Sequence, residues 1–203
     1  MSDAALQEVR LDHPLPIGAA GKKSNGWWGM MFVIMTEASL FAYLLFSYYY
    51  IAVQPHQVWS PGGPPDLTLA IPSTIILVGS SFVCWWGERG IDRGNQTRCV
   101  VGLLITIAMG LVFIVLEVKE WYEKPFSLTT NNYASLFFIT TGFHLAHVAV
   151  GLLILSGLVV WLLLGYFNRE RHAAVSIGII YWHFVDVVWV TVFFTFYMTP
   201  YFG

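Results

Sequence analysis

The sequence predicts an all-α membrane protein, a bundle of five transmembrane helices with the N-terminus inside and the C-terminus outside. Three observations lead there. The 203 residues are 57% hydrophobic and 17% aromatic but only 11% charged, where soluble domains carry roughly 25% charged residues. Five apolar runs are long enough to cross a hydrocarbon core, which takes about 20 helical residues. The basic residues then sort by side. The N-terminal tail, second loop and fourth loop hold Arg10, Lys22, Lys23, Arg89, Arg93, Arg98, Arg169 and Arg171; the other side holds only Lys119 and Lys124. The positive-inside rule places the first set in the cytoplasm, and the alternation supports an odd number of crossings.

The elements follow in order. Residues 1–26 form a polar tail interrupted by Pro14, Pro16 and Gly18. No short apolar segment with a cleavage site precedes the first run, so no removable signal peptide is expected. The membrane domain covers residues 27–203. Run one extends from Trp27 to Ile51, and Pro55, Pro61, Gly62, Gly63, Pro64 and Pro65 make an extended loop after it. Run two spans about Ile71 to Trp86, and Glu88 to Asn95 read as a charged turn. Run three covers about Val100 to Trp121 and is closed by Lys124 and Pro125. Thr129 to Asn132 supply an N-cap for run four, Tyr133 to Phe167. That run would reach about 52 Å against a core of roughly 30 Å, so it tilts or projects into the cytoplasm. Asn168 to His172 form the last turn before run five, Val175 to Tyr197. Trp27, Trp28, Trp121, Tyr122, Tyr166, Tyr197 and Tyr201 lie at run ends and fit interfacial belts.

Several function classes fall away. A net charge of -2 gives no footprint for nucleic acid. There is no Ser-His-Asp order and no Gly-rich phosphate loop. Cys84 and Cys99 have neither a metal-knuckle nor a redox-pair spacing and read as small buried thiols.

The polar residues within the runs are few: Glu37, Glu117, His144, His147, His183 and Asp186. Ionisable groups at membrane depth cost several kcal/mol unless paired or wet, so each asks for a role. His144 and His147 share one helix face, as do His183 and Asp186. A haem between His144 and His183 is one reading. A di-iron bundle would need a Glu-x-x-His pattern that is absent. The plain alternative is that each group is satisfied by a hydrogen bond between helices. Glu37 sits among Met35, Thr36, Ala38, Ser39 and Leu40, an apolar and small-residue setting that predicts a desolvated carboxyl and makes it the candidate for proton exchange. Glu117 lies near the outer end of run three, where hydration is easy, and reads as interfacial or as a packing contact.

Trp182-His183-Phe184-Val185-Asp186-Val187-Val188-Trp189 resembles the closing helix of subunit III of haem-copper terminal oxidases. Thr141-Gly142-Phe143-His144-Leu145-Ala146-His147-Val148 resembles that family's preceding helix, Thr36-Glu37-Ala38-Ser39-Leu40-Phe41 the helix with its buried glutamate, and Glu117-Val118-Lys119-Glu120-Trp121 a Glu-rich helix end. The matches fall in family order. Five spans, with Glu37 in the first, are similar to the short bacterial form without the first two helices of the longest members. The resemblance implies an accessory subunit in the bacterial plasma (inner) membrane that binds no haem, copper or other metal and has no catalytic residue. It would pack on subunit I beside subunit II, contact phospholipid and support oxygen reduction and proton translocation. Glu37 would face the core, and His144, His147, His183, Asp186 and Glu117 would form the polar interior. Cytochrome c oxidase is the expected complex; quinol oxidases and a group linked to nitric oxide reductases have similar subunits. A haem b electron carrier and a small transporter are the readings from other classes.

Overall fold

The structure is a computed structural model that describes residues 24–54, 65–167 and 172–201. The polar tail, most of the first loop and Asn168 to Arg171 lie outside the described residues. Five helices follow in order: α1 Asn25–Ala52, α2 Ala70–Asp92, α3 Gln96–Glu123, α4 Asn132–Leu163 and α5 Ala173–Phe193. A π-helical turn, Phe194–Met198, and a 3-10 turn, Thr199–Tyr201, extend α5. All five are long and apolar enough to cross a membrane.

Side chains set the helix starts. The Ser24 hydroxyl accepts the Trp27 N–H at 3.4 Å and opens α1. Asn95 accepts the Arg98 N–H at 3.0 Å and opens α3. Asn131 accepts the Ala134 N–H at 2.8 Å and opens α4, within the predicted cap region. Pro72 stands in the first turn of α2, where its missing N–H costs nothing.

Two boundaries differ from the sequence reading. The charged stretch after Trp86 does not turn at Glu88; α2 continues to Asp92, and the reversal is confined to Arg93, Gly94 and Asn95. Packing explains this, because Gly87, Gly90 and Ile91 are buried. Run four stops being helical at Leu163, and Gly165 takes a φ of 77° that an L side chain rarely adopts. Its 32 helical residues still measure about 48 Å.

The helices form an antiparallel bundle around α5. α2 and α3 make a tight hairpin, α3 packs on α4, and α5 touches α1, α2 and α4. Among the described residues α1 rests mainly on α4 and α5 and buries Phe41 and Tyr48. Trp182 of α5 is wholly buried at the centre. Its indole N–H donates to the Ser80 hydroxyl of α2 at 2.9 Å. Its ring lies so close to Gly110 of α3 and Gly151 of α4 that a Cβ at either would approach it to 2.8 and 2.9 Å. Glycine is required at both positions because the ring takes the side-chain space.

One end of the bundle gathers the α2–α3 turn and the start of α5, where His172 meets Asp92 at 3.1 Å and Gln96 donates to the Phe167 carbonyl at 2.6 Å. Arg89 and Arg98 cover Trp85 and Trp86 there. The other end is aromatic. The π-helical turn places Thr195, Phe196 and Tyr197 all inside, and Tyr133 donates to the Phe196 carbonyl at 3.3 Å. Tyr197 is therefore a core residue and not part of an interfacial belt.

The α2–α3 hairpin depends on backbone contact between Gly87 and Gly102. A Cβ on Gly102 would lie 2.7 Å from the Gly87 Cα. Gly102→Ala is expected to push the two helices apart at a cost of about 1–3 kcal/mol, read as a lower melting temperature of the purified complex. An unchanged melting temperature would show that the hairpin is looser than described.

Candidate functional site

Glu37 and His147 form the site. Glu37 projects from the middle of α1, and His147 from the face of α4 that α1 covers. Glu37 Oε2 and His147 Nε2 are 3.0 Å apart. The other ring nitrogen, Nδ1, is 2.7 Å from the Phe143 carbonyl one turn back. A carbonyl can only accept, so Nδ1 carries a hydrogen. One proton is then shared across the Nε2–Oε2 contact. It sits either on the imidazole, beside a carboxylate, or on the carboxylic acid, beside a neutral ring. In both states the pair is hydrogen-bonded, so it can hold a proton in an apolar setting without breaking apart.

The pair opens into a cavity of about 340 Å³ lined by Met30, Val33, Ala146, Val150, Ile154 and Tyr181. Apolar walls with one polar pair match the membrane setting. The His147 side chain is 13% exposed and that of Glu37 34%. The expected desolvated Glu37 is thus only partly enclosed by this chain. Among the described residues α1 packs mainly on α4 and α5, which leaves that side open.

His144 goes elsewhere, although it is on the same helix. It is wholly buried, lies against Trp189 and Phe113, and donates through Nε2 to the Val185 carbonyl at 3.2 Å. His183 turns toward α2. Its Nδ1 is 2.8 Å from the Ser81 hydroxyl, which also donates to Asp186. Since the single serine hydrogen goes to the carboxylate, Nδ1 of His183 donates to the serine oxygen. The order Asp–Ser–His is not the Asp–His–Ser order that activates a nucleophile. It ties α5 to α2.

His144 and His183 therefore do not face each other across a haem-sized gap. Among the described residues no group of three or more His, Cys, Asp or Glu side chains could hold a metal ion. The six polar residues do not form one network. Glu37 pairs with His147, His183 and Asp186 share Ser81, and His144 and Glu117 are separate. Of the two readings of Glu117, the hydrated interfacial one is corrected, because the residue is 0% exposed.

Ser81 was not picked out by sequence reasoning, and neither was Thr74, which accepts the Trp189 indole N–H at 3.0 Å. Their signal was a set of hydroxyls in an otherwise apolar run two, spaced to meet the Trp and His of run five.

A bundle of five apolar helices, each long enough to span and with polar groups paired between them, defines a multi-pass membrane protein. Comparison with known proteins narrows the class. The family model described as Cytochrome c oxidase subunit III matches residues 20–201. The chain is 36% identical to cytochrome c oxidase subunit 3 of Synechocystis over 186 residues, covering 89% of this chain and 78% of the relative. It is 36% identical to that of Thermostichus vulcanus, covering 81% and 83%, and 32% identical to the human protein, covering 84% and 68%. The chain belongs to the cytochrome c oxidase subunit III family. It is a membrane-embedded member of a multi-subunit oxidoreductase complex and serves as an oxidase subunit III.

The Ser81 bridge makes a prediction. Ser81→Ala and Asp186→Ala each leave buried polar groups unmatched, at about 1–3 kcal/mol. Each is expected to lower the yield of assembled complex, and the double mutant should be little worse than either single one. Additive losses would show that the two residues act separately.

Proposed function

We propose that this chain is a non-catalytic subunit of cytochrome c oxidase that stabilises the redox core and aids its proton uptake through Glu37 and His147. The observation that carries this is the 3.0 Å contact between the two, opening sideways through the outer face of the bundle. A pair that keeps one proton in either of two positions can pass it on with little rearrangement. Its open side is where a neighbouring subunit completes the enclosure. The outward side of α1, with Trp28, Phe32, Met35, Tyr43, Phe46 and Tyr50 exposed, is apolar and aromatic, fit for a membrane partner or lipid.

In this reading α1 packs on subunit I, with subunit II also in the complex. Haem and copper reside in those partners, cytochrome c is the electron donor, and phospholipid fills the remaining grooves. The complex stands in a bacterial inner membrane. The end with Arg89, Arg93 and Arg98 faces the cytoplasm, and the end with Lys119 and Lys124 faces outward. His144, Asp186 and His183 hold the helices.

Glu37→Gln and His147→Leu test the role. Both complexes should assemble with normal haem content. Proton uptake is expected to slow several-fold at high pH, or inactivation during turnover to quicken, and the double mutant should match the single ones. Intact complexes with wild-type proton uptake and wild-type inactivation kinetics would refute the role. Co-purification with a quinol-oxidising core would replace cytochrome c as donor.

A further inference from the structure

We propose that Glu117 is a second proton-binding site, a carboxylic acid held inside the bundle at the end away from Arg89, Arg93 and Arg98. Three buried charged side chains meet there. Glu117 is 0% and Glu120 4% exposed, and the side chain of Lys124 is 9% exposed. Glu120 Oε1 accepts from Lys124 at 2.7 Å and from the Tyr197 hydroxyl at 2.7 Å. Lys124 also lies over the rings of Phe137 and Tyr197. Glu120 and Lys124 thus complete each other, and the tyrosine hydrogen is spent on the same carboxylate.

Glu117 is left over. Neither of its oxygens has a hydrogen-bond partner among the described residues. The Trp121 indole N–H, one turn further along α3, is given to Thr141 at 3.2 Å. Helix register shows what faces Glu117 from α4. Phe113 meets His144, and Trp121 meets Thr141 and Phe138, so Glu117 falls between these levels, near Thr140. The Thr140 hydroxyl is buried and also without a partner. The groups around Glu117 are therefore Glu120, Lys124 and the Trp121 indole on its own side, Thr140 from α4 and Tyr197 from the extension of α5. They offer one positive charge to two carboxyls. A bare carboxylate beside a second carboxylate, shut away from water, is the costliest arrangement available. One bound proton balances the group and gives Glu117 a hydrogen to donate, to Thr140 or to the unpartnered Glu120 Oε2. The site takes a single proton.

The test uses the purified oxidase complex with wild-type chain, Glu117→Gln and Glu117→Asp. The infrared spectrum at neutral pH should show a carboxylic-acid C=O band, sensitive to exchange into D2O, that Glu117→Gln removes and Glu117→Asp shifts. The Gln complex should melt within about 2 °C of wild type, because a neutral amide replaces a neutral acid. No band lost with Gln and none shifted with Asp would overturn the proposal. So would a Gln complex markedly more stable than wild type, which means a bare charge was removed. A wild-type melting temperature that rises with sodium or potassium, and does not in Glu117→Gln, would overturn it in favour of a metal cation. If the Gln complex fails to assemble, the Asp shift decides alone.

Discussion

The bundle depends on one indole. Trp182 gives its N–H to Ser80 of α2 and lays its ring into gaps left by Gly110 of α3 and Gly151 of α4. One side chain on α5 thereby locks three other helices. In a bilayer, apolar residues gain little by leaving lipid for protein, so association rests on close packing and on hydrogen bonds between helices. A large ring against two glycines supplies the first, and a buried N–H with a hydroxyl partner the second. Trp189 repeats the device two turns on, with its indole on Thr74 and its ring against Phe113 and His144.

The polar groups of the interior follow the same economy. Apart from Glu117 and Thr140, they are settled locally: His144 on a backbone carbonyl, His183 and Asp186 on one serine, Glu120 on Lys124 and Tyr197. Among the described residues no hydrogen bond joins one of these groups to the next, and the aromatic rings of Phe41 and Phe113 pack against His144. Small closed groups suit a medium in which each unmatched atom is expensive. Glu37 and His147 differ because their group is open on one side.

The five crossings and their order were legible in the sequence, because apolar length is what a membrane demands. Helix faces were legible too: His183 and Asp186 do point the same way. Partners were not. Nothing local to Glu37 shows that it meets His147, and nothing local to His183 shows that Ser81 stands between it and Asp186. Depth was also misread where it depends on cover. Glu117 and Tyr197 lie near helix ends, which suggests water, yet the π-helical turn after α5 and the α4 face enclose both. The charged stretch after Trp86 read as a turn because charge and glycine usually mark one; here Gly87 continues the helix by fitting against Gly102.

The distance along the chain between Glu37 and His147 is 110 residues. Ribosomes add roughly 5–20 residues per second. The first span therefore enters the bilayer about 5–20 s before the histidine that completes its carboxyl has been made. During that interval α1 has neither of its two supporting helices, since α4 and α5 are both translated later. α1 is completed only once α4 and α5 have been made. Until the fourth helix arrives, an unpartnered carboxyl in the bilayer is held most cheaply in its protonated form.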